Sequence, residues 1–215
     1  MIISHARRYV FVHIPKTGGT ALALALEARA AADDLLIGDT PKARRRRGRL
    51  DGLAAAGRLW KHSTLSDIIG ILNPAELQGY FVFTMVRNPW DRMVSYYFWL
   101  RSQSFAHPAV VLAKGCSFSE FLNAPQTQAS IAAAPYGSYV RLPDGSARCD
   151  LFIRLEHFAQ DIAPLEAHLG FALPPLARVN ASKRSPDWRG YYSAADADRV
   201  AALCAADIAR FGYGF

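Results

Sequence analysis

The stretch Tyr9-Val10-Phe11-Val12-His13-Ile14, followed by Pro15-Lys16-Thr17-Gly18-Gly19-Thr20 and then by Ala21 to Arg29, decides the fold class of this chain. Its first six residues are almost continuously apolar, β-branched or aromatic, the pattern of a strand covered on both faces in a parallel sheet. From Thr20 to Arg29 the run is rich in strong helix formers, chiefly Ala and Leu, which predicts a helix, and Gly18-Gly19 breaks the chain between the two elements. A tight loop that enters a helix exposes unpaired amide N–H groups, and the helix dipole adds partial positive charge at the same point, so anions bind there. Gly18 and Gly19 let the backbone curl into a nest of donors, Lys16 adds a full charge, and Thr17 and Thr20 add hydroxyls.

The same order of elements recurs downstream. Tyr80 to Val86 reads as a second buried strand, closed by Arg87-Asn88-Pro89. Asn88 suits a helix N-cap and Pro89 the first helical position, and Met93, Tyr96, Tyr97 and Leu100 form a stripe at helical spacing. Asp150 to Leu155 predicts a third strand, and Phe158 to Leu169 the helix after it, with Gly170 as its stop. Ser193 is placed to cap a last helical region whose apolar face carries Val200, Leu203, Cys204, Ile208 and Phe211. Strands alternating with helices mean α/β, and 215 residues suit one domain. Two segments are less regular. Residues 38–61 hold Gly38, Pro41, Gly48, Gly52, Gly57 and the run Arg44-Arg45-Arg46-Arg47-Gly48-Arg49, which predicts an exposed, mobile loop. Residues 102–149 show no clear period beyond a short helix around Ser117 to Leu122.

With 51% apolar and 20% charged residues, the composition is that of an ordinary globular protein. Met1 to Tyr9 contains Ser4, His5, Arg7 and Arg8, unlike a signal peptide, and no window offers the roughly 18 to 20 apolar residues of a membrane span. The expectation is a cytoplasmic protein. Cys116, Cys149 and Cys204 are odd in number and far apart, which fits neither a disulfide framework nor a zinc site and predicts buried thiols. The net charge of +7 attracts anionic partners, and Arg outnumbers Lys by twenty to five, a bias that suits bidentate capture of phosphate or sulfate.

The loop is not a Walker sequence, because Lys16 precedes both glycines instead of following them. Instead, His13-Ile14-Pro15-Lys16-Thr17-Gly18-Gly19-Thr20, together with Val86-Arg87-Asn88-Pro89-Trp90-Asp91-Arg92-Met93-Val94-Ser95-Tyr96, resembles the sulfotransferase superfamily, and more closely its carbohydrate-modifying branch. The resemblance continues through Phe152 to Glu156 with Asp161, Asn180-Ala181-Ser182, and Asp207 with Phe211 to Phe215. It implies a P-loop-like three-layer α/β/α fold with a central parallel sheet, a single sulfotransferase domain over residues 1–215, and a donor, 3′-phosphoadenosine 5′-phosphosulfate (PAPS). Pro15, Lys16, Thr17, Gly18, Gly19 and Thr20 are then expected to hold the 5′-phosphosulfate, and Arg87 and Ser95, eight residues apart, the 3′-phosphate. The branch also implies a saccharide hydroxyl as acceptor. Two departures stand out: the membrane anchor of the family's Golgi members has no counterpart, and residues 33–58 match no pattern of the family.

Within that resemblance Lys16 is the expected catalyst that stabilises the leaving phosphate, with no metal required, and His62 in Trp60-Lys61-His62-Ser63 is the expected base. A surface or capping role for His62 weighs equally at this stage. Glu156 is the reserve base, His13 is expected to be packed, and Lys183 and Arg184 are expected to close over the nucleotide. Asn180-Ala181-Ser182 also fits a glycosylation acceptor, which a chain without a secretory signal would not use. Two alternatives remain beside this reading. A nucleotide kinase would share the anion cradle but should carry the Walker pattern. A nucleic-acid-binding module built on Arg44 to Arg49 lacks the interleaved aromatics such readout uses, so no nucleic-acid partner is expected.

Overall fold

A computed structural model of the chain describes residues 1–177 and 184–215. The first elements are β1 (Ile2–Ser4), β2 (Tyr9–Val12), α1 (Gly19–Ala28), β3 (Leu35–Leu36), α2 (Pro41–Arg45), α3 (Pro74–Leu77) and β4 (Phe81–Val86). They are followed by α4 (Pro89–Arg101), α5 (Pro108–Gly115), α6 (Phe118–Asn123), α7 (Pro125–Ala132) and β5 (Leu151–Arg154). The last are α8 (Phe158–Asp161), α9 (Ala163–Leu169), α10 (Ala194–Leu203) and α11 (Ala205–Phe211). The chain divides into two compact units, Met1–Val86 with Tyr136–Val179, and Arg87–Pro135 with Asn180–Phe215.

The first unit is built on a sheet with strand order β3-β1-β2-β4-β5. Its three chemically informative strands are parallel: Val10 pairs with Val82 and Phe11 with Phe83, and Thr84 pairs with Phe152. β1 and β3 extend the sheet with antiparallel pairings, so the parallel sheet expected from the sequence is the central part of a mixed one. Three- and two-residue strands are too short to show a period, which hides them from sequence reading.

Alternation assigns the two faces. Val10, Val12 and Val82 pack with Leu65, Ile68, Leu72 and Leu77, while Tyr9, Phe11, Phe83 and Met85 pack with Leu22 and Leu26 of α1 and Leu165 and Leu169 of α9. Each such buried side chain contributes about 1.5–3 kcal/mol. The α/β class and the helix-covered central sheet follow from this double burial.

Two local expectations change. Residues 38–61, expected as a loop, hold α2 and a further helical turn over Arg47–Leu50. Thr40 caps α2 by accepting from the Ala43 N–H at 3.1 Å, and its hydroxyl donates to the buried Glu27 carboxylate at 2.7–2.8 Å. Arg46 donates to the carbonyl of Ala31 at 2.7 Å, and Arg49 to that of Ala32. The helix expected over 158–169 is split into α8 and α9, because Pro164 in the first turn of α9 has no N–H to continue the ladder. Gly170 stops α9 in the left-handed conformation, φ 73°.

In the second unit, Met93, Tyr97 and Leu100 of α4 are buried against Val110, Phe118, Phe121 and Val200. α6 is the helix expected near Ser117, fixed by a capping box between Ser117 and Glu120. α5 and α7 each begin with a proline and run eight residues, too few to display a stripe. Of the three thiols expected to be buried only Cys204 is so; Cys116 and Cys149 are half-buried.

Candidate active site

In the first unit the loop from Pro15 to Gly18 follows the C-terminal end of β2. Lys16 is held at φ 66°, a left-handed conformation that costs a non-glycine residue about 1–2 kcal/mol. Gly18, at φ 87°, is the N-cap of α1 and offers no side chain to the helix's first amides. Gly19 is required for space: a Cβ there would lie 2.3 Å from Cδ2 and 2.7 Å from Nε2 of His13. Thr17 is buried and its hydroxyl donates to the carbonyl of Ile14 at 2.9 Å, so its proton is committed inside the loop. Pro15, Lys16 and Thr20 are half-buried. The result is a helix N-terminus without a side-chain cap, the kind of start at which anions bind, with the backbone of Lys16 two residues before its N-cap.

His13 is packed, 7% exposed, and stacks on Phe11. Burial, with the charges of Lys61 and Lys16 and the neighbouring His62, holds its imidazole well below the usual range, so it stays neutral. Its backbone carbonyl lies 2.7 Å from Nδ1 of His62. A carbonyl can only accept, so Nδ1 of His62 carries the proton and Nε2 keeps its lone pair. Burial above all, aided by the Lys61 ammonium, pushes His62 down to about 4 against the opposing pull of that hydrogen bond. His62 is therefore a neutral imidazole in the tautomer a base needs. Trp60, exposed, meets its ring edge-on at 5.0 Å. An open cavity of about 490 Å³ lies alongside, lined by Asp39, Arg47, Arg58, Trp60 and Lys61. Lys61 pairs with Asp39 at 2.7 Å. Glu156 is exposed in the turn after β5.

The second unit carries the other expected ligands. Asn88 caps α4 through the Trp90 N–H at 3.1 Å, and Ser95 is buried in the helix's second turn. Arg87, just before the cap, is engaged by Asp91, which also holds Arg184. Lys183 and Asn180 to Ser182 lie outside the described residues. Among the described residues no cluster of three His, Cys, Asp or Glu side chains is placed to hold a metal ion, and no helix is long and apolar enough to cross a membrane.

Sequence reasoning missed the carbonyl of His13, the cavity beside Trp60, and Asp91. Only Asp91 had left a signal, its position four residues after Arg87.

Residues 1–138 match the model of the sulfotransferase family, Sulfotransfer_2. A solved structure, mouse sulfotransferase SULT7A1 complexed with PAP, matches over 94% of this chain and 84% of that one, with 18% identity and a TM-score of 0.50. That likeness is one of fold. No curated protein sequence matches the chain. With more than half of its length under the family model, the chain belongs to the sulfotransferase family and is a sulfuryl-transferring enzyme.

Proposed function

We propose that the protein transfers the sulfuryl group of PAPS to a saccharide hydroxyl, with residues 1–215 acting as one sulfotransferase domain. The observation that carries the reading is the uncapped N-terminus of α1 with Lys16 held at positive φ beside it, in a chain of this family. In this reading the loop from Pro15 to Thr20 receives the 5′ end of the donor, and Arg87 and Ser95, with Lys183 and Arg184, receive the 3′-phosphate. The acceptor oxygen bonds to sulfur as the bond from sulfur to the 5′-phosphate oxygen breaks. Nε2 of His62 takes the acceptor's proton, and Lys16 balances the charge left on the departing phosphate. The SULT7A1 structure, which holds PAP, supports the choice of donor.

The saccharide is supported by the cavity lined by Trp60, whose ring meets that of His62. Trp60 offers an apolar ring surface, and Arg47, Arg58 and Lys61 offer donors to hydroxyl or acidic groups. A cytoplasmic location belongs to the same reading, supported by three cysteines of which none forms a disulfide.

Thermal denaturation with PAP and, separately, with ATP and magnesium tests the donor. A rise in Tm with PAP alone is expected, by mass action on the folded state. A rise with ATP alone would replace sulfuryl by phosphoryl transfer.

A further inference from the structure

Asp91 stands in the first turn of α4, where the helix dipole favours a carboxylate. Its two oxygens are both occupied by arginine. Oδ2 accepts from Nε of Arg87 at 2.8 Å and from Nη2 of the same residue at 2.6 Å, while Oδ1 accepts from Nη2 of Arg184 at 2.6 Å. All three side chains are largely removed from water, at 14% exposure for Arg87 and Asp91 and 12% for Arg184. A single carboxylate between two guanidiniums leaves a net positive charge in a partly dry setting. Moreover, Nη1 of Arg184 is buried and has no acceptor among the described residues. A buried N–H of a charged group with no acceptor is costly, and a bound anion would supply the missing oxygen.

We infer that Asp91 is a positioning residue: it clamps Arg87 and Arg184 into one two-guanidinium seat for a terminal phosphate, with Nη1 of Arg184 as the donor that the phosphate satisfies. The inference rests on the PAPS reading and identifies the phosphate as the one on the donor's 3′ oxygen. Asp91 itself, an anion, does not touch the phosphate. Its part is to fix two long side chains that would otherwise lose rotamer freedom on binding, and to aim their in-plane N–H edges, which suit phosphate oxygens.

The role separates from a merely structural ion pair by its dependence on the 3′-phosphate. Calorimetry on the full chain compares PAP with adenosine 5′-phosphate, which lacks that group, in the native protein and in Asp91→Asn. The native protein should prefer PAP. Asp91→Asn should lose at least about tenfold in PAP affinity while its affinity for adenosine 5′-phosphate is unchanged, so the ratio collapses. An equal loss for both nucleotides, or an unchanged ratio, overturns the positioning role. If Asp91→Asn does not fold, Arg184→Gln gives the same comparison with the Arg87–Asp91 pair intact, and there too a preserved ratio overturns the inference. A native protein that binds PAP no better than adenosine 5′-phosphate would refute the 3′-phosphate assignment, and this inference with it.

Discussion

A single hydrogen bond decides what His62 can do. Because Nδ1 donates to the carbonyl of His13, Nε2 is left unprotonated, and burial keeps the ring neutral well into the acid range. His62→Gln should therefore lower turnover by about 10²–10⁴-fold while PAP affinity, measured by calorimetry, stays at the native value. Near-native turnover would remove His62 from the mechanism. The same residue links stability to pH. Its folded value of about 4 lies below its ordinary 6.5, so between these limits the unfolded chain binds a proton that the folded one refuses. Its share of stability is full above the higher limit and is lost as pH falls toward the lower, with a slope of up to about 1.4 kcal/mol per pH unit. Urea denaturation of the native protein and His62→Gln should show their stabilities converging as pH drops from neutral to 5. A constant gap would mean that the imidazole is not held neutral. The sequence pointed to this histidine only through its resemblance to carbohydrate sulfotransferases, and its partner is a backbone carbonyl far back in the chain, which has no sequence signature.

At the level of elements, the decisive contact is that between α1 and the end of β2. Gly19 lets the helix start directly against the His13 ring. Gly19→Ala should cost about 1–3 kcal/mol by overpacking, read as a lower urea midpoint, and should weaken PAP binding because the loop must shift. Unchanged stability would show that His13 can yield. β2, β4 and β5 were legible because double burial writes a continuous apolar run, and the caps Asn88 and Ser193 were legible because their chemistry is local. The segment 38–61 was read without its helical turns, for the opposite reason. Its order comes from Glu27, Ala31 and Ala32, residues that precede it and that no window over the segment includes. The split between α8 and α9 could have been read from Pro164, had the apolar stripe across it not suggested one helix.

For the molecule as a whole, the surplus of seven positive charges is the dominant long-range feature. Arg44, Arg45, Arg47 and Arg49 are exposed, and although the backbone beneath them is ordered, their side-chain charge faces water on α2 and the turn after it. Such a field raises the arrival rate of anions and is screened by salt beyond a Debye length. Stopped-flow association of PAP should slow as ionic strength rises, and the combined change of Arg44, Arg45 and Arg47 to Gln should flatten that dependence. A native rate indifferent to salt would assign the arginines to solubility. The donor chemistry was readable from two short motifs, since each needs only a strand, a turn and a helix start. The cavity beside Trp60 was not, because it draws its lining from residues 37–61, whose folding the sequence did not disclose.

Gly18 gives α1 no cap, and that omission limits what the position can become. Serine or aspartate, the residues that most improve a helix start, would place an oxygen on the amides to which the PAPS reading assigns the donor. A carboxylate at position 18 would amount to a tethered competitor, present at an effective concentration no diffusing donor could match. In the PAPS reading, the uncapped head of the helix is thus a position where donor binding and helix stability make opposite demands.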